Sequence, residues 1–145
     1  MKLLIYSAAI LVFTLQSCSN DDESTSNNNT NTRFTWKENG GTEIKADSAF
    51  YETQYKTIKA FKNYNDPSQK KFIEINLTNG IPATYDTANG NAISFLYASN
   101  LFVASTGSIT ITENASNAMS GSFTGASTTG TVTSIEGAFQ SIEIR

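Results

Sequence analysis

The sequence predicts an all-β domain, an antiparallel β-sandwich of roughly eight or nine strands with a barrel as second choice, preceded by a signal peptide and a polar tether. Three observations carry this expectation. Short apolar runs alternate at period two and are punctuated by turn signals about every eight to twelve residues. Threonine, serine, asparagine and glycine are abundant while charged residues are only 16%, a composition that favours strands and turns. No stripe of 3.6-residue period follows the leader.

The elements follow in order from Arg33. "RFTWKE" runs into Asn39-Gly40-Gly41, and the Asn-Gly step favours a two-residue hairpin turn because both positions tolerate positive φ. "TEIKA" returns, and "SAFYETQYKTIKAFKNY" reads as one bent strand or two, with ambiguous facing. "NDPSQKK" is a loop, since Pro67 removes a backbone donor. "FIEINL" alternates, with Ile73, Ile75 and Leu77 on one face and Glu74 and Asn76 on the other. "TNGIPATYDTANG" reads as a loop with two Asn-Gly steps. "NAISFLYA" aligns Ile93, Phe95 and Tyr97; "LFVAS" and "SITITE" flank Gly107, with Ile109 and Ile111 inward; "MSGSFTG" aligns Met119, Gly121 and Phe123. "GAFQSIEIR" changes phase between Phe139 and Ile142, which predicts a bulge or bend near Ser141.

The first residues say where the chain goes. Lys2 precedes an apolar run from Leu3 to Leu15, shorter than the roughly 20 residues a spanning helix needs but laid out as a secretory leader. Leu15-Gln16-Ser17-Cys18 contains the one cysteine of the chain. An odd cysteine in an exported protein is a reactive liability or a modification site. The motif resembles the lipobox of bacterial lipoproteins, which implies lipidation of Cys18 and cleavage after Ser17. Each buried methylene contributes about 0.8 kcal/mol, and stable anchoring takes about two acyl chains. Ser19-Asn20-Asp21-Asp22-Glu23 resembles the acidic signals that send some Gram-negative lipoproteins to the cell surface. With Ser19 directly after the cysteine, the resemblance implies an outer-membrane address, surface-exposed rather than periplasm-facing.

Residues 19–32 carry no apolar side chain larger than a threonine methyl, so the sequence predicts a disordered spacer with a reach of about 20 Å. The expected organisation is 1–17 signal peptide, 18–32 lipidated cysteine and tether, and 33–145 a single domain. The order of "FTWKENGG", "FIEINL", "GSITITEN", "MSGSFTG" and "IEGAFQSIEI" resembles a family of small bacterial lipoproteins catalogued only as a domain of unknown function. That resemblance spans most of residues 33–145 and implies an all-β, lipid-anchored domain, with no catalytic or binding residues to carry over.

Composition excludes much chemistry. The net charge is −3, without the clustered Lys and Arg that nucleic acid requires. The chain has no histidine, which removes Ser-His-Asp triads, Cys-His dyads and His-bearing zinc sites. Paired carboxylates remain for glycoside hydrolysis, with Glu74, Asp86, Glu113 and Glu136 as candidates. Calcium would draw on Asn63, Asn65, Asp66, Asp86 and Asn89, although no EF-hand series is present and Asn-Asp-Pro is common turn chemistry. Trp36 and Tyr97 are expected in the core, and Tyr64 and Tyr85 in loops. Tyr51 and Tyr55 share parity along an extended strand and form the candidate ligand face. The function expected is a non-enzymatic binding or accessory module of the cell envelope, without cofactor or metal, whose partner is a glycan or another envelope protein. The alternatives are a small polysaccharide hydrolase using paired carboxylates and a purely structural envelope protein.

Overall fold

A computed structural model describes residues 33–145. The leader, the Leu15-Gln16-Ser17-Cys18 motif, the acids Asp21, Asp22 and Glu23, and the tether lie outside the described residues. The domain is all-β, as expected. It has eleven strands: β1 (Phe34–Glu38), β2 (Ile44–Lys45), β3 (Ser48–Glu52), β4 (Thr57–Lys62), β5 (Lys71–Asn76), β6 (Ala83–Asp86), β7 (Ala92–Tyr97), β8 (Asn100–Val103), β9 (Thr106–Ala115), β10 (Ala118–Ala126) and β11 (Ser134–Ile144). The surplus over the eight or nine expected comes from short strands, including β2 and β6.

All strands belong to one sheet, ordered β6-β9-β10-β11-β3-β4-β5-β7-β8. Neighbours pair antiparallel except β11 and β3, which run parallel through Glu143↔Phe50 and Ile144↔Tyr51. β1 lies against the first half of β11, Phe34 opposite Phe139 and Glu38 opposite Ile135. Thus β1 and β3 sit end to end along the same side of β11. The sheet coils strongly, so its two halves face each other over one core: the Trp36 ring of β1 lies 6.4 Å from Phe95 of β7. This half-barrel joins the two expected architectures, with sandwich-like facing layers made from a continuous sheet.

Alternation places the apolar rows inward. Ile73, Ile75, Ile93, Phe95, Ile109, Ile111, Met119 and Phe123 are all buried. The curl depends on missing side chains on the concave face. A Cβ at Gly137 would meet the Phe123 ring at 2.6 Å, and one at Gly121 would meet Phe139 at 2.7 Å. The aromatic rings cover these glycines, filling the space that lets the sheet bend. The phase change before Ile142 is a bulge: the β10–β11 register shifts between Met119 and Gly121, Ser141 takes φ +50°, and its N–H donates to Ser120 Oγ at 3.0 Å. Asn39 (φ +52°) and Gly40 (φ +67°) form the expected tight turn, closed by Gly41 N–H to Glu38 O at 2.9 Å.

Candidate functional site: the convex aromatic band

Tyr51 and Tyr55 do not form one exposed stripe. β3 ends at Glu52, and a turn carries the chain into β4 at Thr57. Tyr51 occupies an inward position and is 3% exposed, while Tyr55 stands in the turn at 61%. Burial pushes the Tyr51 phenol above its ordinary value, and Tyr85 adds to the shift. Tyr85 is buried on β6 rather than in a loop, with its hydroxyl donating to Ile81 O at 2.7 Å. Trp36 is in the core and Tyr97 packs against it.

The convex face of β3-β4-β5-β7-β8 carries what sequence reasoning missed. Phe61 and Phe72 are directly opposed on β4 and β5, with centroids 4.8 Å apart and nearly parallel rings. Phe50 joins diagonally from β3 at 6.1 Å from Phe61. From Phe72 the row continues to Leu96 and then Leu101 through direct cross-strand pairs. Tyr64, just beyond β4, meets Phe61 edge-on at 5.3 Å. The signal was present in strands apolar at both parities, "AFY", "KAF", "KFI" and "FLY", as a sheet covered on both faces would be.

Most of these ring faces are occupied. The Arg145 guanidinium lies 4.3 Å from the Phe50 centroid, and Lys70 Nζ lies 4.2 Å from that of Tyr64. Acids accompany most of the cations on this surface: Lys59–Glu52 at 2.6 Å, Lys62–Asp47 at 2.7 Å and Arg145–Glu143 at 2.7 Å. The band is therefore an apolar strip between charge-neutralised rims, the anatomy of a protein-contact surface, with few bare ring faces for a sugar.

The concave side carries a polar cluster at an open end of the half-barrel. Lys71 and Glu38 continue the inward rows of β5 and β1 and pair at 2.7 and 2.9 Å. Trp36 Nε1–H donates to the same carboxylate at 3.0 Å, and the ammonium lies 4.7 Å from the Tyr97 centroid. Beside this pair a small cavity of about 70 Å³ is lined by Phe95, Tyr97, Phe102 and Val132. The charges satisfy each other, so the cluster closes the mouth as a plug.

The remaining candidates are dispersed. Glu74 is flanked across the sheet by Lys59 and Ser94, Glu136 by Lys37 and Thr124, Asp86 by Ser108 and Glu113 by Ser120; none faces another carboxylate across a ladder. Asp66 accepts from Ser68 N–H and Oγ at 3.0 and 2.7 Å, and these bonds hold its carboxyl below the usual range. Asp86 caps the 3₁₀ turn over Thr87–Asn89 by accepting from Ala88 N–H at 2.7 Å. Among the described residues no three His, Cys, Asp or Glu side chains gather as a metal site. Comparison with protein-family models, curated proteins and solved structures brings no match.

Proposed function

We propose that the chain is a lipid-anchored, non-enzymatic binding module of the bacterial outer membrane, displayed on the cell surface and contacting another envelope protein through the convex band. The observation that carries the contact is the continuous row Phe61-Phe72-Leu96-Leu101, joined by Phe50 and Tyr64, on a face that a monomer has no structural reason to make apolar. The lipobox-like Leu15-Gln16-Ser17-Cys18 and the acids after Cys18 support the anchoring and the address. A protein partner is favoured over a glycan because Arg145, Lys70 and the neighbouring phenylalanines cover ring faces on which a sugar would stack.

Two experiments test this. Protease treatment of intact cells should remove the domain, and Asp21→Ala/Asp22→Ala/Glu23→Ala should protect it; a wild type that stays protected overturns surface display. A photo-cross-linking side chain placed at Tyr64 in living cells should yield one discrete protein adduct, whereas the same group at Thr84, on the opposite half of the sheet, should not. Equal labelling from both positions overturns the assignment of the band.

A further inference from the structure

The sequence has three Asn-Gly steps, at 39–40, 79–80 and 89–90. In each, a side-chain amide carbon is followed by a backbone nitrogen that no Cβ shields, and a five-membered ring would join the two. The fold treats the three steps differently. The Asn39 carboxamide is held on the 131–134 segment. Its Nδ2 donates to Thr131 O at 3.0 Å, and its Oδ1 accepts from Thr133 N–H at 2.8 Å, Thr133 Oγ1 at 3.2 Å and Ser134 N–H at 3.1 Å. Asn89 lies in the 3₁₀ turn and engages through its backbone carbonyl, which accepts from Asn91 Nδ2 at 3.4 Å. Asn79 is folded back on its own neighbour: the Gly80 N–H donates to Asn79 Oδ1 at 2.7 Å. Among the described residues that N–H makes no backbone hydrogen bond, and Asn79 is exposed to water.

We infer that Asn79-Gly80 is a self-modification site, at which the Gly80 nitrogen closes on the Asn79 amide carbon and water reopens the ring as an aspartyl or isoaspartyl residue. The ring closed by the hydrogen bond already contains every atom of the cyclic imide: Gly80 N and the Asn79 carbonyl carbon, Cα, Cβ and Cγ. A turn of the carboxamide about Cβ–Cγ presents the carbon to the nitrogen, so the reactants start close and oriented. Gly80 N gives its proton to water or hydroxide and bonds to Cγ. The Cγ–Nδ2 bond breaks and Nδ2 leaves as ammonia, taking up a proton. One water then opens either imide C–N bond, and the net exchange is amide and water for carboxylate and ammonium. Opening on the backbone side routes the main chain through Cβ and Cγ and lengthens it by one carbon. That carbon falls between two fixed points. Thr78 N–H donates to Asn91 Oδ1 at 2.8 Å and Thr78 O accepts from Lys56 Nζ at 2.9 Å. Gly80 O accepts from Asn114 Nδ2 at 2.7 Å, and its Cα faces the Tyr51 hydroxyl without room for a Cβ. The site acts as a timer that loosens the loop over Tyr51 as the protein ages.

The test ages the purified full chain in warm, mildly alkaline buffer and locates the products by fragmentation mass spectrometry. In the folded protein Asn79 should convert several-fold faster than Asn39 and Asn89, with isoaspartyl among the products. In urea, where all three are Asn-Gly steps of an unfolded chain, the rates should converge. The aged wild type should lose a few degrees of unfolding midpoint. Asn79→Gln, whose side chain would need a six-membered ring, should lose none. Fresh Asn79→Asp adds the charge without lengthening the backbone and should keep the midpoint of fresh wild type. Asn39 or Asn89 leading in the folded chain, or a ranking that unfolding leaves unchanged, would overturn the site. An equal fall in aged Asn79→Gln, or a fresh Asn79→Asp as unstable as aged wild type, would overturn the loosening by an inserted backbone carbon.

Discussion

The hydroxyl of Tyr51 fills the space in which a side chain at Gly80 would begin. A Cβ there would collide with the hydroxyl oxygen and stand 2.8 Å from the ring carbon bearing it. Gly80 is tied to the far half of the sheet, since its carbonyl accepts from Asn114 Nδ2 at 2.7 Å. The glycine thus lets a loop close over an inward tyrosine. Gly80→Ala should destabilise the domain by about 1–3 kcal/mol, the usual range for overpacking. The penalty should shrink in a Tyr51→Phe background, where the oxygen is gone. Urea unfolding of the four proteins measures this, and an unchanged penalty refutes the contact.

The Glu38–Lys71 pair has side chains only 17% and 19% exposed, between the surface and buried cases. Removing one partner strands the other charge, so Glu38→Gln or Lys71→Met should each cost about 1–3 kcal/mol, above the surface-pair range but short of a fully buried pair. The double variant should cost less than the sum. Strict additivity in a denaturation cycle would show that the two charges do not interact.

Asp47 defines an acid-sensitive point. Burial raises its carboxyl, but hydrogen bonds from Lys62 and the Asn63 N–H and the Lys62 charge outweigh that, leaving the net shift downward from 3.8. A depressed folded-state value means that the stabilisation is complete above the unfolded value and is lost as pH falls through the folded one. The window therefore lies below about pH 4, and a half-exposed pair of this kind contributes no more than about 1 kcal/mol. Asp47→Asn should lower the midpoint at neutral pH and leave it nearly unchanged at the acid end. A constant offset across the whole pH range contradicts this.

Ala98 turns β7 into β8 with φ +50°, a conformation that costs an L-residue with a Cβ about 1–2 kcal/mol and glycine almost nothing. After the extra chain entropy of glycine, Ala98→Gly should gain about 0.5 kcal/mol, whereas Ala98→Val should lose more than 1. Thermal unfolding reads both signs, and a loss with glycine would contradict the turn geometry.

How far the sequence revealed the fold depends on how many faces a strand buries. "FIEINL" and "SITITE" alternate because one face meets the core, and their inward rows were legible, as was the bulge at Ser141 from its phase change. β3 and β4 were not separable. Phe50 and Phe61 are apolar on the convex face while Tyr51 and Ile58 are apolar on the concave one, so period two is lost. The turn between them has no glycine, proline or asparagine; Lys56 supplies the left-handed residue at φ +53°. β6 was hidden among turn signals because one large apolar residue, Tyr85, faces inward from it. The candidate site was not legible: Tyr51 and Tyr55 share parity only if the strand runs unbroken, and the turn after Glu52 separates a buried Tyr51 from an exposed Tyr55. The parallel join of β11 to β3 has no local signature at all.

That join also orders events in time. The block β3-β4-β5-β7-β8 and the block β9-β10-β11 are each held by local hairpins and antiparallel neighbours, but the strand ladder between them forms through Glu143 and Ile144, extended by Arg145 N–H to Tyr51 O. Nor can β1, among the first residues of the domain to be translated, find its place until Ile135–Phe139 exists. During vectorial synthesis the domain therefore stays open until nearly its last residue has emerged. Any termination before β11 would leave two unsealed sheets.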